Sequence, residues 1–419
     1  MNGIKKIWQT LGPGFLYAGA AVGVSHLVQS TKAGAGYGFS LLIVVVLSNF
    51  FKFPFFEAGP RYAAATGENL IEGYQRIGKW AVNLFTVLTA STAFIIQAAV
   101  TIVTAALFGN LFGLDMSLTA SSIIVLFVCA AILLLGQYKW LDSIVKWVII
   151  LLSIASIIAF FRAQSLDHEI SLWPKWAMTE TNFIFLFALM GWMPAPLDIS
   201  AWHSIWSVEK KKTNNNRLTL KDALRDFHIG YWGTAVLALI FVSLGALVLF
   251  ANQESLVGLP GGAFAKKFIS IYTTTLGEWT YPIIAFAAFA TMFSTTITVL
   301  DGAPRVADAL LPILRSRPND NSKLTYRIGI VVIALGAFFL IFMFSDKDVF
   351  GLLIKVATIA SFLTAPLLAY LNFRLINSRH MPENAKPGKF NKAVAIAGIV
   401  LLSAFAVSYL LFLIGLISF

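Results

Sequence analysis

Two ionisable residues inside apolar segments are the first candidates for chemistry. His26 stands close to Gly23 and Ser25, and Asp198 follows residues 193–196, which begin at Met193 and end at Pro196. An imidazole titrates near neutral pH, so His26 could carry a proton or ligate an ion. A carboxylate in an apolar membrane segment is costly, and such groups tend to mark a pathway or a paired site. These residues predict a polar binding site, in which His26 and Asp198 would ligate a metal only if a metal is handled at all.

Each candidate also has a purely structural alternative. His26 could be neutral and hydrogen-bonded to a carbonyl at a helix interruption, and Asp198 could cap the helix that follows it. Asp301 could be a proton or gating group, or it could simply pair with Arg305. Gln97 could line a polar cavity, but hydrogen bonding between helices explains it equally well. The sequence leaves these alternatives open.

Composition indicates which kind of protein must position these residues. The chain has 419 residues, of which 58% are hydrophobic and 12% charged, and its mean hydropathy is +0.79. Soluble domains carry about 25% charged residues. The apolar residues here form runs near the roughly 20 residues that cross a bilayer, and in lipid only a helix satisfies its own backbone groups within such a run. We therefore expect an all-α polytopic membrane protein. Cys129 is the single cysteine, so no internal disulfide can form.

The apolar runs predict eleven spans, and the charges between them predict an orientation. The spans cover approximately residues 13–31, 36–58, 81–108, 117–136, 141–161, 183–206, 229–251, 279–302, 325–344, 350–373 and 393–418. With a cytoplasmic N-terminus, 24 of the 31 Lys and Arg residues fall on the inner side, Lys52 among them, as the positive-inside rule requires. Lys5 and Lys6 then precede a retained first span, not a cleaved signal peptide. The predicted location is a bacterial-type inner membrane with the C-terminus outside, and the net charge of +11 needs no nucleic-acid partner.

Two of the predicted spans are unsuited to a continuous helix. The first contains Gly19 and Gly23, and the sixth contains Pro194 and Pro196, which cannot donate the helical hydrogen bond. The interrupted spans are the first and the sixth, five spans apart in chain order, as expected for a five-plus-five inverted repeat whose broken helices meet near mid-membrane. The predicted repeats cover about 13–161 and 183–373 of a single domain over residues 1–419, with an extra helix at about 393–418. The alternative is two kinked structural helices, since Gly and Pro are common in membrane spans.

Several short strings along nearly the whole chain resemble the Nramp family of proton-coupled divalent-metal transporters. They are Gly12-Pro13-Gly14-Phe15-Leu16, Ala33-Gly34-Ala35-Gly36-Tyr37-Gly38 with Leu47-Ser48-Asn49, Arg61 with Thr66-Gly67, His203-Ser204, and Ile297-Thr298 with Gly302. The resemblance implies an inverted repeat of five plus five helices, with helices 1 and 6 broken, and an eleventh transmembrane helix.

The departures from the family pattern concern its metal ligands. In the family, helix 1 carries Asp-Pro-Gly-Asn, whose Asp and Asn bind the metal, and an ungapped alignment places Gly23 at the Asp and His26 at the Asn. The Met-Pro-His of helix 6 falls either on residues 193–195 or on residues 196–198, which end at Asp198. The resemblance also places Thr358 at a polar glutamine of helix 10. A transition ion needs ligands that compensate its charge, so these changes indicate altered or lost metal chemistry.

Three functional hypotheses follow. The first is an alternating-access secondary transporter for a harder or hydrated cation such as Mg²⁺, or for a small organic solute, with a substrate site at Gly23, Ser25, His26, Met193, Pro196, Asp198 and Thr358. The second is a divalent-metal/proton symporter with a rebuilt His26–Asp198 site. The third is a non-transporting receptor on a transporter scaffold, against which the short loops argue.

Enzymatic activity is not expected. The sequence contains no P-loop, HExxH or GxSxG motif, so we predict neither an enzyme nor a bound cofactor. The expected partners are a small solute or ion and the lipid bilayer. The oligomeric state is left open, and a monomer is compatible with the sequence.

Overall fold

The computed structural model describes residues 12–136, 138–166, 170–213, 219–256, 258–317, 321–345 and 348–418, with only the backbone described for 138–146 and 213. Lys5 and Lys6, on which part of the predicted orientation rests, lie outside the described residues. Every regular element in the described ranges is helical. The α-helices are α1 Pro13–Ala21, α2 Thr31–Tyr37, α3 Leu42–Thr66, α4 Leu70–Ile77, α5 Lys79–Phe112, α6 Leu118–Leu134, α7 Tyr138–Ala163, α8 Glu180–Trp192, α9 Ile199–Thr213, α10 Leu220–Leu244, α11 Gly261–Leu276, α12 Tyr281–Arg315, α13 Ser322–Met343, α14 Val349–Ile376 and α15 Lys389–Leu413.

Short segments of other helical geometry complete the bundle. The π-helical turn Val24–Ser30 leads directly into α2, and a second π-helical turn, Gly245–Phe250, extends α10. Two 3₁₀ turns lie at Glu278–Thr280 and Glu383–Ala385. We call α1 together with Val24–Ser30 and α2 the first broken helix, and α8 together with α9 the second broken helix.

The prediction of an all-α membrane fold with two interrupted spans is confirmed. Within the described ranges, seven helical segments are long and apolar enough to cross a membrane: Leu42–Thr66, Lys79–Phe112, Leu220–Phe250, Glu278–Arg315, Ser322–Met343, Val349–Ile376 and Lys389–Leu413. Leu118–Leu134 and Trp147–Ala163 are shorter apolar helices. With the two broken helices, these segments correspond one for one to the predicted spans.

Some predicted boundaries were wrong. The eighth span was expected to end at residue 302, but α12 continues past Pro304 to Arg315. The proline costs one backbone hydrogen bond, yet the next helix packs closely on it, since a Cβ added at Gly329 would lie 2.8 Å from the Pro304 Cβ. The helices α4 and α11 were not expected, because both fall between apolar runs.

Glycines permit the closest contact between the first broken helix and α10. A Cβ at Gly34 would lie 1.9 Å from the carbonyl oxygen of Val242, and a Cβ at Gly245 would lie 2.4 Å from that of Thr31. Real Cβ atoms do not approach oxygen this closely, so both positions must lack a side chain. The two backbones thereby pack against one another beside the first interruption.

Candidate functional site

The first interruption falls at Val22 and Gly23, between α1 and the π-helical turn. α1 ends at Ala21, and Gly23 precedes the turn with its backbone away from helical geometry. Thr295 of α12 donates its hydroxyl hydrogen bond to the freed carbonyl of Gly19, at 3.0 Å. A Cβ added at Gly23 would lie 2.7 Å from Cγ2 of Thr295. A side chain at position 23 would therefore require the Thr295 side chain to move.

Ser25 and His26 form a hydrogen-bonded chain across this interruption. The Ser25 hydroxyl lies 2.6 Å from the carbonyl oxygen of Ala21 and 2.7 Å from Nδ1 of His26. The other ring nitrogen, Nε2, lies 2.9 Å from the carbonyl oxygen of Thr234 in α10. Because a carbonyl only accepts, Nε2 must carry a hydrogen. His26 is fully buried, and both of its nitrogens are engaged by protein groups.

The protonation of His26 decides which of these bonds can exist together. With neutral His26, Nδ1 accepts the single Ser25 hydroxyl hydrogen, and nothing remains to donate to Ala21. With protonated His26, Nδ1 donates to Ser25, and the hydroxyl hydrogen is free to bond the Ala21 carbonyl. A proton on His26 thus completes the bond across the interruption.

The second interruption lies between α8 and α9. α8 ends at Trp192 and is capped by Met193, which is joined to Pro194 by a cis peptide bond. Met193 is fully buried, and Pro196 is half-buried. Asp198 is 4% exposed, and its Oδ1 has no hydrogen-bond partner among the described residues. A buried carboxylate oxygen without a partner is available for a substrate group or a proton.

The structure adds Lys52, which the sequence prediction assigned to the inner surface. Lys52 lies within α3 and is 1% exposed. Its ammonium donates to the carbonyl oxygens of Met190 and Gly191 at 2.5 and 3.0 Å. The helical partner of the Met190 carbonyl would be residue 194, a proline that has no N–H. Lys52 therefore satisfies carbonyls that the second interruption frees, and a lysine inside an apolar run was the signal that could have found it.

The halves of the two broken helices contact each other pairwise. α1 packs on α9, and the turn Val24–Ser30 packs on α8. On the first of these contacts, the ring of Tyr17 stacks on that of His203 with 5.8 Å between centroids. Beside the second contact, a cavity of about 290 Å³ opens between α2, α8 and α14, and its lining includes Gln29 and Lys355. A separate cavity of about 390 Å³ does not touch this contact. The two interruptions are therefore neighbours inside one bundle.

The remaining predicted residues lie on other helices and bond locally. Thr358 of α14 bonds the carbonyls of its own helix at 2.7 and 2.9 Å, although its own carbonyl contacts the backbone of Gly191, where an added Cβ would lie 2.2 Å away. Gln97 donates to Thr101 Oγ1 at 3.2 Å and to the carbonyl of Thr296 at 3.4 Å, which ties α5 to α12. A role for Thr358 or Gln97 in binding or proton movement stays a prediction.

Asp301 belongs to an ion-pair cluster away from the interruptions. It accepts a hydrogen bond from Arg305 Nε at 2.6 Å and another from the hydroxyl of Tyr326. Arg305 also pairs with Glu209 of α9 at 2.7 Å. This cluster joins α9, α12 and α13, so a gating role for Asp301 stays a prediction and its pairing with Arg305 is the observed contact.

A second residue that sequence reasoning missed anchors the first broken helix. The carboxylate of Asp226 in α10 accepts backbone hydrogen bonds from Gly12 at 3.2 Å and from Gly14 at 2.8 Å. An anion at a helix N-terminus satisfies unpaired amides and complements the helix dipole. A Cβ at Gly14 would lie 2.3 Å from the Asp226 carbonyl oxygen. The Gly-Pro-Gly string thus allows α1 to start directly against α10.

Comparison with known proteins identifies the family. The model of the natural resistance-associated macrophage protein-like family, Nramp, matches residues 14–412. The chain belongs to the Nramp family. An uncharacterized protein of Pasteurella multocida (strain Pm70) is 39% identical over 384 residues, which cover 89% of this chain and 87% of the relative. As an Nramp protein, the chain is a multi-pass membrane transporter. The members of this family are transporters and not enzymes.

Solved structures share the fold of this chain. A crystal structure of a manganese transporter from Eremococcus coleocola superposes with a TM-score of 0.73 at 15% identity, covering 96% of this chain and 86% of that one. MhsT in complex with L-phenylalanine gives 0.64 at 13% identity, covering 94% and 98%. Mhp1, a nucleobase-cation-symport-1 family transporter in a closed conformation with bromovinylhydantoin bound, gives 0.58 at 13% identity, covering 97% and 94%. The fold expected from the Nramp resemblance is confirmed.

Proposed function

We propose that this Nramp protein is a secondary transporter with alternating access, whose substrate occupies the space between the two interruptions. Broken helices that meet inside a bundle leave backbone groups available to a substrate. The pairwise packing of α1 on α9 and of Val24–Ser30 on α8 supports this placement. The proposed site then consists of Gly23, Ser25 and His26 at the first interruption and Met193, Pro196 and Asp198 at the second. Thr358 of α14 completes it.

We further propose that the substrate is not a transition-metal ion held by the family's usual ligands. The observation that carries this proposal is the packing at Gly23, which supplies no carboxylate and where the Thr295 side chain of α12 fills the space that a side chain at position 23 would enter. Both nitrogens of His26 are also engaged. Among the described residues, no three His, Cys, Asp or Glu side chains group in a way that could hold a metal ion. Mn²⁺ or Fe²⁺ would lack compensating ligands here.

His26 is the proposed proton carrier. Its hydrogen-bond chain through Ser25 to Ala21 is fully satisfied only when the imidazole is protonated, so gain or loss of a proton alters the bonding across the first interruption. Such a link between protonation and local backbone bonding is what a proton-coupled conformational change requires.

The proposed substrate classes are a harder or hydrated cation such as Mg²⁺ and a small organic solute. Structures with this fold hold L-phenylalanine in MhsT and bromovinylhydantoin in Mhp1, so the fold accommodates organic ligands. The open cavity of about 290 Å³ beside α8 is close to the lower end of the range for small-molecule sites.

A divalent-metal/proton symporter with a rebuilt His26–Asp198 site is the second candidate. It is favoured by the partnerless Oδ1 of Asp198 and by the structural likeness to the Eremococcus coleocola manganese transporter. In that case His26 must release one of its protein partners to reach the ion.

Uptake into proteoliposomes separates the two candidates. We would measure Mn²⁺ uptake by the wild type and by His26→Ala and Asp198→Asn, with His380→Ala and Asp115→Asn as matched controls on residues outside the proposed site. We expect Mn²⁺ uptake at the level of empty liposomes for every variant. Saturable Mn²⁺ uptake that both site variants abolish and both controls retain would establish the second candidate and end the first.

The orientation, location and repeat boundaries are proposals as well. We propose a cytoplasmic N-terminus, an outer C-terminus and an inner-membrane location, with repeats of about 13–161 and 183–373 and the added helix 393–418. The charge bias between spans supports this orientation. Alkaline phosphatase fused after residue 419 should be active in cells, and an inactive fusion of normal abundance would reverse the orientation.

A further inference from the structure

The environment of Lys52 is the most informative feature that the family comparison does not explain. Its ammonium lies inside the bundle, 1% exposed, against the carbonyls of Met190 and Gly191. These carbonyls end α8, where the helix dipole concentrates partial negative charge. A free cation bound at this interruption would use the same carbonyl oxygens. The ammonium of Lys52, a cation fixed to the protein, thus occupies the place where a free cation would be coordinated.

The charges around Lys52 leave this positive group without an acidic partner. Among the described residues, no ion pair is formed by Lys52. Glu57, on the same helix, is committed to Arg61 at 2.8 Å and to His228 at 2.7 Å. Asp226, on the neighbouring α10, is committed to backbone amides of the first broken helix. Among the buried carboxylate oxygens of the described residues, Oδ1 of Asp198, between α8 and α9, is the one without a hydrogen-bond partner.

Lys52 also retains one unused hydrogen-bond donor. An ammonium has three N–H groups, and two of them donate to the carbonyls of α8. Within the described residues, the third has no protein acceptor. A buried donor without a partner costs stability unless a ligand satisfies it, and a carboxylate is the acceptor that best complements a buried ammonium.

The cavity of about 290 Å³ beside α8 has a positive net charge along its lining, the same sign as the charge of Lys52. It is lined by Lys32 of α2 and Lys355 of α14, and Glu180 supplies the one carboxylate among its lining residues. Ala188, two residues before Met190, belongs to the same lining, whereas Lys52 itself does not. Asp348 acts electrostatically on Lys32 from outside the cavity. Lysines that line a cleft raise the local concentration of anions over cations.

We propose, on the basis of the transport function proposed above, that the substrate is a small organic acid whose carboxylate accepts the third N–H of Lys52. In this arrangement Lys52 selects against metal and alkali cations, because it already occupies the carbonyls of Met190 and Gly191 and repels a second positive charge. Of the two substrate classes left open, the organic solute is therefore assigned and the hydrated cation is not.

Thermal stabilisation of the purified protein in detergent tests this assignment directly. The probes are acetate, lactate, succinate and glutamate, each paired with its uncharged amide, together with MnCl₂, MgCl₂ and NaCl. A ligand that binds only the folded protein raises its unfolding temperature. We expect at least one carboxylate to stabilise the wild type while its amide and the three salts do not. Stabilisation by none of the carboxylates, or equally by an acid and its amide, overturns the proposal.

Variants of Lys52 add a second, independent readout. Lys52→Met removes the ammonium, and we expect the stabilising carboxylate to bind about 10- to 100-fold more weakly, the loss for one hydrogen bond to a charged group. Lys52→Arg, which keeps the charge, should retain more of the affinity, and Lys79→Met on an exposed lysine should retain all of it. A carboxylate affinity unchanged in Lys52→Met overturns the proposal. If Lys52→Met does not fold, the comparison of acids with amides on the wild type still decides.

The outcomes also separate this proposal from the broader transport function. Wild-type uptake of a neutral or cationic organic solute that Lys52→Met leaves unchanged would overturn the role of Lys52 and preserve the transporter. Saturable Mn²⁺ uptake that depends on His26 and Asp198 would overturn the proposed substrate class itself.

Discussion

Removing the charge of Asp226 should loosen the first broken helix from α10. In Asp226→Asn, one of the two carboxylate oxygens becomes an amide that cannot accept from the backbone of Gly12 or Gly14, which lie 3.2 and 2.8 Å away. A hydrogen bond to a charged group contributes about 1.5–3 kcal/mol, and an anion at a helix N-terminus adds about 0.3–1 kcal/mol. We expect the free energy of unfolding to fall by about 2–4 kcal/mol.

The assay is thermal unfolding in detergent followed by intrinsic tryptophan fluorescence. For a chain of this size, 1 kcal/mol shifts the unfolding temperature by no more than about 2 °C, so Asp226→Asn should unfold about 2–6 °C below the wild type. Asp222→Asn is the matched control on the same helix. Asp222 closes an exposed capping box with Thr219, and its loss should cost less than about 1 kcal/mol.

The comparison with the control decides whether the anchor is real. Equal unfolding temperatures for the wild type and Asp226→Asn would refute the reasoning, and so would an equal decrease in both variants. Hydrogen exchange of α1 adds a local test, since the loss of the anchor should speed exchange in Pro13–Ala21 more than in α15. Unchanged exchange in α1 would mean that packing, not Asp226, fixes this half-helix.

Three further predictions concern packing, pH and the first interruption. Gly34→Ala should lower the free energy of unfolding by about 1–3 kcal/mol, because its Cβ would lie 1.9 Å from a carbonyl oxygen of α10. Gly233→Ala, whose Cβ meets open space, should leave this free energy unchanged. Equal free energies of unfolding for the two variants in chemical denaturation would contradict this. The hydrogen bond from Arg76 at 2.7 Å lowers the pKa of Glu68 below its ordinary value, so this pair stabilises the fold above the ordinary glutamate pKa and loses that stabilisation as the pH falls through the lowered one. Arg76→Gln should therefore have a slightly lower unfolding temperature than the wild type at neutral pH and the same unfolding temperature in acid. A difference in unfolding temperature that grows in acid would contradict this pH dependence. Ser25→Ala removes both hydroxyl contacts beside the first interruption and should weaken binding of the transported solute roughly tenfold, measured by the same thermal titration; unchanged affinity would separate the serine from the site.

The sequence by itself determined the class of the fold and the positions of its interruptions. Apolar runs of membrane-crossing length fix helices, because lipid offers no other partner to the backbone. Pro194 and Pro196 fix the second interruption, because neither can donate the helical hydrogen bond. Gly19 and Gly23 indicated the first interruption, because glycine is a poor helix former. These features are local and need no knowledge of neighbours.

Tertiary structure alone decided which polar groups meet. Lys52 counted as a surface charge in the sequence, yet packing of α3 on α8 places its ammonium on carbonyls freed at residues 190 and 191. Asp226 precedes the predicted span that begins at about residue 229, but α10 begins at Leu220 and brings this carboxylate to the start of α1. Such pairings join residues more than a hundred positions apart along the chain. Hydropathy and spacing report the backbone's local needs, and they carry no information about which helix will satisfy a buried charge.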